Sequence, residues 1–197
     1  MAQPRPLPSG SDRIAHWASR RHFRWQAIPD QAWFQAWEPY DTMVSPQRYL
    51  NAVSGPYRRG AITFAEPWLA DEDSEPMDRT LLGFVSHPRL IGKASARVGE
   101  SFLTRVAFLE SPPPPKVVLG DEAWDSWAET FAWDGAHAAV VFHPRLRALL
   151  QSWQFQGHIE FRPGGLVVHV AGLGPTPENL DRLADFVPRL VDTALGR

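Results

Sequence analysis

The strongest constraint on the fold is a β-hairpin signal in the last third of the chain. Residues 157–162 and 166–171 alternate apolar with polar side chains, and the tight-turn sequence Pro163-Gly164-Gly165 lies between them. This pattern predicts two antiparallel strands that bury one face and reverse direction at the Pro-Gly pair. Helix-forming segments lie on both sides. Residues 133–197 therefore predict a unit of helix, hairpin and closing helix, and they contain no catalytic signature.

Capping residues mark the helices beside the hairpin. Asp134 precedes an alanine-rich run, His143-Pro144 precedes leucines at helical spacing, and Thr176-Pro177 begins the closing helix. An apolar stripe recurs at three- and four-residue steps along that helix: Leu180, Leu183, Ala184, Val187 and Leu190. We expect this stripe to pack on the hairpin. We also expect Pro188 to kink or break the helix, because proline lacks the backbone N–H.

The first half of the chain predicts helices followed by antiparallel strands. Helices are expected over about 11–22, capped by Ser11 or Asp12, and from Pro29-Asp30 up to Pro39. Strands are expected at 23–27, 49–54, 61–65, 79–86 and 101–110. In the second half, a strand is expected at 116–119 and a helix or strand-edged turn at 121–131. On the second helix, Trp33, Phe34 and Trp37 lie on one side. We expect them to pack in the core, and the alternative is that they line a ligand groove.

Prolines set the predicted division of the chain. The run Pro112 to Pro115 favours extended polyproline II and cannot form a helix or a central strand. We therefore predict an α+β protein of two lobes, 11–110 and 116–197, joined by a stiff connector at 111–115. Each lobe combines antiparallel strands with helices packed on one face. Residues 1–10, which contain three prolines, predict a disordered tail, and the proline run has an alternative role as a ligand for a partner's aromatic groove.

Composition argues against several classes of function. With 20 basic and 22 acidic residues, the chain shows no general electrostatic attraction to nucleic acid or anionic lipid. It has no cysteine, which excludes disulfides, thiolate catalysis and cysteine-ligated metals. No segment approaches the roughly 20 apolar residues of a membrane span, and the N-terminus lacks the apolar core of a signal peptide. We therefore expect a soluble cytoplasmic protein.

The run from Asp134 to Leu150, with its His143-Pro144 step, resembles a bacterial domain family of unknown function. Members of that family often carry an aspartate, a small helical segment with a central alanine, a Thr-Pro step and a leucine-rich helix, followed by a hairpin and a final helix. The segment Arg20 to Trp25 is similar to uncharacterised bacterial proteins of the same type. The chain departs from the pattern at His143, where threonine is usual, and it lacks the membrane-spanning segments that such proteins often carry. The resemblance implies this order of elements and attaches no catalytic residues.

One face of the hairpin carries side chains suited to metal binding. If Arg162 faces Gly165 across the turn, His158 lies directly opposite His169, whereas a shift of two residues would place Glu160 opposite His169. Two histidines and a carboxylate form a recognised zinc or iron ligand set, so His158, Glu160 and His169 are the candidate metal ligands. The alternative is a polar sheet surface that faces water.

Other catalytic patterns are weaker. Ser54 and Ser101 have no nucleophile-elbow context, and the acidic segment 71–75 lacks the glycine and glutamate of an EF-hand loop. We therefore expect a non-catalytic binding or scaffolding protein that acts through contacts with an unidentified protein partner, without a cofactor and without nucleic acid. The alternative is a metal-binding protein or a metal-dependent hydrolase built on the hairpin. The sequence leaves the oligomeric state open.

Overall fold

A computed structural model describes residues 7–35, 48–68, 79–99 and 114–197. The strands are β1 (Arg24–Gln26), β2 (Arg48–Tyr57), β3 (Gly60–Trp68), β4 (Leu82–Ser86), β5 (Ala94–Val98), β6 (Lys116–Val117), β7 (Glu129–Phe131), β8 (Gly157–Arg162) and β9 (Gly165–Val170). The helices are α1 (Ser11–Arg20), α2 (Gln31–Gln35), α3 (Glu122–Asp125), α4 (Gly135–Val141), α5 (Pro144–Ser152) and α6 (Pro177–Ala194). None of these helices combines the length and the apolar character that a membrane-spanning helix requires.

The nine strands of the described residues form one sheet in the order β1-β2-β3-β4-β9-β8-β5-β7-β6, and every neighbouring pair is antiparallel. The predicted α+β class is confirmed. Strand β4 pairs with β9, and β5 pairs with β8, so strands from both sides of 111–115 share this sheet. The two lobes are therefore not confirmed. The boundaries 11–110 and 116–197 stay a prediction, because residues 100–113 lie outside the described ranges.

The main core lies between one face of the sheet and five of the helices. Alternate residues of the hairpin, including Phe161 and Val168, pack in one cluster with residues of α1, α3, α4, α5 and α6. In α6 the predicted stripe is buried at Leu180, Leu183, Val187 and Leu190, and Ala184 packs against the same cluster. A hydrogen bond of 2.8 Å from Trp17 Nε1 to Asp181 Oδ1 joins α1 to α6.

Pro188 does not break α6, which continues to Ala194. Proline in a helix interior removes one hydrogen bond and costs about 3 kcal/mol or more. Buried residues precede and follow it, with Val187 on one side and Leu190 and Val191 on the other. Full burial of one such side chain contributes about 1.5–3 kcal/mol, so packing on both sides of Pro188 offsets the lost bond.

Side-chain caps begin three of the predicted helices. Asp134 Oδ1 accepts from Ala136 N at 2.9 Å, and Thr176 Oγ1 accepts from Asn179 N at 3.3 Å. His143 caps α5, as discussed below. Helix α1 differs from the expectation, because its N-cap is Gly10 rather than Ser11 or Asp12. Gly10 has a φ of 78°, a left-handed conformation that glycine adopts without steric cost.

Helix α2 corrects the expectation that all helices pack on one face. Its Phe34 lies on the opposite face of the sheet, where it stacks on Tyr49 with ring centroids 4.1 Å apart. The same cluster contains Leu82, Phe84 and Val167. The side chains of β2, β3, β4 and β9 alternate between the two faces, so the sheet carries an apolar cluster on each.

Several strand boundaries differ from those predicted. Strands β2 and β3 extend to a tight turn at 58–59, where Tyr57 faces Gly60, so Gly55-Pro56 lies inside β2. Strand β5 was not predicted, and 121–131 contains both α3 and β7. The predicted strand 101–110 and the acidic segment 71–75 lie outside the described residues. So do residues 1–6 of the predicted tail; within 7–10, Pro8 is buried and Ser9 O accepts a hydrogen bond from Arg79 Nη1 at 2.9 Å.

The packing of α6 is tested by Leu183→Asp. Leu183 lies on the buried side of α6. The substitution therefore places an unpaired carboxylate in the core and should reduce the free energy of unfolding by about 3 kcal/mol or more. Arg182→Asp, at an exposed position of the same helix, should change it by no more than about 0.5 kcal/mol. Urea denaturation followed by circular dichroism measures both. Equal stability of the Leu183 variant and wild type would show that α6 is not packed on this core.

Candidate functional site

The predicted hairpin register is present in the structure. Arg162 faces Gly165, and His158 lies directly across from His169. Glu160 faces Val167, so the pairing shifted by two residues does not occur. The register follows from the turn: a loop of two residues, Pro163-Gly164, fixes which residues face each other.

The hairpin cluster of His158, Glu160 and His169 does not face water. Their exposed fractions are 0%, 3% and 2%, so the expectation of a solvated polar surface is wrong. The reason is topological. The hairpin lies in the middle of the sheet, with β4 beside β9 and β5 beside β8, and not at a solvated edge.

Two polar side chains from other segments lie beside the cluster: Thr80, just before β4, and Arg97 of β5. His169 Nε2 lies 2.8 Å from Thr80 Oγ1, and His158 Nε2 lies 3.4 Å from Glu160 Oε2. Strand β5 places Arg97 across from His158. Sequence reasoning missed Arg97 and Thr80, because only the pairing of distant strands brings them to the hairpin. The Nδ1 atoms of both histidines are buried and have no hydrogen-bond partner within the described part of the chain.

Both histidines are held in the neutral form. Burial lowers the pKa of His158 well below its ordinary value, and the charges of Arg97 and His169 lower it further. Burial alone lowers the pKa of His169 to about 4. Neutral imidazoles can bind metals, but a cation next to His158 disfavours a second cation. Among the described residues, no three His, Cys, Asp or Glu side chains are arranged to hold a metal ion. The metal set stays a hypothesis.

A second candidate site is a groove of about 420 Å³ on the same face of the sheet, between α2 and strands β1 to β4. We call it the α2 groove. Its floor consists of small or hydroxyl-bearing side chains: Ala52, Ser54, Ala61, Thr63 and Ser86. Its walls include Trp33 and Phe34 of α2, with Arg24 of β1 and Asp30 at the start of α2. The groove exists because small residues occupy this face of β2 and β3 where the helix passes above them.

Local contacts fix α2 against the sheet. The Gln31 side chain accepts from Tyr49 N at 2.7 Å and donates to Tyr49 O at 3.0 Å, much as a neighbouring strand would. Asp30 Oδ1 accepts from Ala32 N at 3.0 Å and supports the first turn. Trp33 packs edge-on against Phe34 and Phe84, with centroid distances of 4.7 and 5.9 Å. The groove wall is therefore held in place by hydrogen bonds and ring contacts.

Core packing and lining of a groove were the two roles considered for Trp33, Phe34 and Trp37, and different residues fill them. Phe34 is buried in the core of this face, whereas Trp33 is 39% exposed and lines the groove. Trp37 lies outside the described residues. The other groove residues were not predicted. Their signal is a set of small or hydroxyl-bearing side chains at facing positions, Ser54 with Thr63 and Ala61 with Ser86. It is visible only when the registers of β2, β3 and β4 are known.

Burial of His169 predicts a pH-dependent stability. In the unfolded chain this histidine takes up a proton near pH 6.5, whereas in the folded chain its pKa is about 4. As the pH falls from 6.5 towards 4, the unfolded state binds the extra proton, so the free energy of unfolding decreases. Between pH 7.5 and 4.5 this one group should remove about 2 kcal/mol.

His169→Gln isolates that contribution, because the glutamine amide can still form a hydrogen bond with Thr80 but does not titrate. Urea denaturation of wild type and variant across this pH range should show that wild type loses about 2 kcal/mol more. The lowered pKa of His87 acts alike in both proteins and cancels in the comparison. Burial, the largest cause of the lowered pKa of His158, is also common to both, and only the smaller effect of the His169 charge on His158 is lost with His169. His16→Gln, at an exposed position of α1, controls for the loss of a histidine. Parallel pH profiles of wild type and the His169 variant would contradict the assignment.

Comparisons with known proteins identify the fold but not a family. No protein-family model matches the chain, and no curated protein sequence matches it. Among solved structures, the chain is similar to the crystal structure of the mycobacterial trehalose monomycolate transport factor A, TtfA. The TM-score is 0.67, with 10% sequence identity, over 95% of this chain and 96% of that chain. At this identity the likeness shows that the two chains share a fold. The resemblance predicted for residues 134–150, to a bacterial domain family of unknown function, is not confirmed and stays a prediction.

Proposed function

We propose that this protein is a non-catalytic binding protein of the cytoplasm, and that it holds an extended segment of a partner protein in the α2 groove. The observation that carries the proposal is an edge strand, β1, with the groove directly beside it. Edge strands present unpaired backbone N–H and C=O groups, which can pair with a strand from another chain.

Strand β1 has the geometry for such pairing. It is the first strand of the sheet, so its outer edge pairs with no other strand of the described residues. Its Arg24 and Gln26 lie two residues apart, and both line the groove. In a strand added beside β1, every second side chain would point to the same face of the sheet. One face of the added strand would therefore supply side chains to the groove.

The composition of the groove suits an apolar or aromatic side chain with polar groups around it. Trp33 is part-exposed on the wall, and tryptophan and arginine are the residues that most often dominate binding energy at protein interfaces. Arg24 and Asp30 place opposite charges at the walls. On the floor, Ser54 Oγ and Thr63 Oγ1 bind each other at 2.9 Å, so Ser54 is engaged with a hydroxyl rather than with a general base. These contacts support binding rather than nucleophilic catalysis.

The fold comparison supports the same class of function. The mycobacterial protein with the similar fold is named a transport factor, and we extend to this chain only an accessory, non-catalytic role of that kind. The alternative role, a metal-binding protein or metal-dependent hydrolase built on His158, Glu160 and His169, is less well supported. Arg97 lies across from His158, and Thr80 already engages His169.

Site-specific photocrosslinking in the native host tests the proposal. A benzophenone amino acid replaces Ile28, an exposed residue just before Pro29 of the groove, or Val118, an exposed residue just after β6 at the far edge of the sheet. We expect a specific protein adduct from position 28 and none from position 118. Adding Trp33→Ala should reduce the adduct by about tenfold or more, since interface tryptophans commonly contribute about 2 kcal/mol.

The melting temperature of the Trp33→Ala variant shows whether the fold is retained. An adduct of equal yield at positions 28 and 118 would contradict the proposal. An adduct from position 28 that does not depend on Trp33 in a folded variant would contradict it too.

A further inference from the structure

Three turns meet at one end of the sheet: 58–59 between β2 and β3, 87–90 after β4, and 163–164 between β8 and β9. His87 N donates to Gly164 O at 3.0 Å, and Gly164 N donates to Leu90 O at 2.6 Å. Gly60 packs so closely on the end of β4 that an added Cβ would lie 1.8 Å from Ser86 O, next to the turn 87–90. Backbone contacts therefore hold the three turns together.

Arginines are concentrated at this end. Arg59 and Arg89 are exposed on two of the turns. Arg197, just after α6, adds a further arginine, and its backbone N–H donates to the backbone O of Asp192 at 2.9 Å. The carboxylate of Asp192 forms an ion pair with the Arg58 guanidinium at an N–O distance of 2.8 Å. We call Arg58, Arg59, Arg89 and Arg197 the basic end.

The charge of the basic end is not balanced within the described residues. Asp192 pairs with Arg58, but Arg59, Arg89 and Arg197 have no ion-pair partner in that part of the chain. The four guanidinium groups are also close enough to the buried His87 to lower its pKa, after burial itself, which is the largest cause. Because the whole chain has a net charge of −2, this local excess of positive charge is a feature of one surface and not of the composition.

We propose that the basic end binds an acidic segment of a partner protein. The end is continuous with the α2 groove: Ser86 and Ala61 line the groove, and each adjoins a turn of the basic end. A partner segment that leaves the groove here meets Arg59 and Arg89, so acidic residues in that segment would be attracted to it. The identity of the partner rests on the proposed function, but the binding of an acidic chain does not.

A protein segment fits this surface better than a membrane does. Binding in a membrane interface depends on apolar side chains inserted among the lipids together with basic residues. The turns 58–59, 87–90 and 163–164 present none of the exposed large apolar side chains of the described residues, and Ile91 lies just beyond them. Electrostatic complementarity with a carboxylate-rich chain needs no such insertion.

The test measures the binding of fluorescently labelled poly-L-glutamate by anisotropy at low salt. The variant Arg59→Glu/Arg89→Glu is compared with Arg145→Glu/Arg182→Glu, which makes the same change of net charge at exposed positions of α5 and α6. We expect the first pair to weaken binding by about tenfold and the second by about twofold or less. Binding by wild type should also fall as salt is added. Arg59→Gln/Arg89→Gln replaces the first variant if its melting curve shows that it does not fold.

Three outcomes overturn the inference: equal weakening by the two charge-reversed pairs, no binding of poly-L-glutamate, or stronger binding to phosphatidylglycerol vesicles than to the polypeptide. Trp33→Ala separates this inference from the groove proposal. It should leave poly-L-glutamate binding unchanged while it reduces crosslinking from position 28. If the Trp33→Ala variant no longer bound poly-L-glutamate, the polypeptide would bind in the groove instead of at the basic end.

Discussion

The pairing of β4 with β9 is the contact on which the rest of the architecture depends. It joins the sheet of the first half to the C-terminal hairpin over five residue pairs, from Leu82 and His169 to Ser86 and Gly165. Strand β5 then pairs with the other side of the hairpin. The hairpin is thus central rather than peripheral, and it carries buried residues on both faces. One face lies under the helices, and the other continues from the hairpin cluster to the α2 groove.

This placement explains why a polar cluster is buried. Side chains alternate along a strand, so packing Phe161 and Val168 in the main core forces Glu160 and His169 to the other face. On that face the histidines are accommodated as neutral groups, while the charge of Glu160 lies near that of Arg97. The cost of burying these groups appears as acid sensitivity, because the unfolded histidines gain protons that the folded ones do not.

The elements predicted correctly are those specified by contiguous residues. Pro163-Gly164 defined the hairpin and its register, and Asp134 and Thr176 marked helix starts. Features that depend on distant segments were not predictable in the same way. Strand β5, Ala-Ser-Ala-Arg-Val, has weak intrinsic strand preference and gains its place by pairing between β8 and β7. Burial of the hairpin cluster needed the same information, and so did the small side chains that leave room for the α2 groove.

His143 makes two contacts that join the start of α5 to the end of α6. His143 Nδ1 accepts from Leu146 N at 3.4 Å, so the imidazole caps α5 as a threonine hydroxyl would. With Nδ1 as the acceptor, the proton lies on Nε2, which donates to Thr193 O at 3.0 Å near the end of α6. A threonine hydroxyl is too short to make both contacts. One histidine side chain therefore caps α5 and also holds the last turn of α6, the helix that covers the main core.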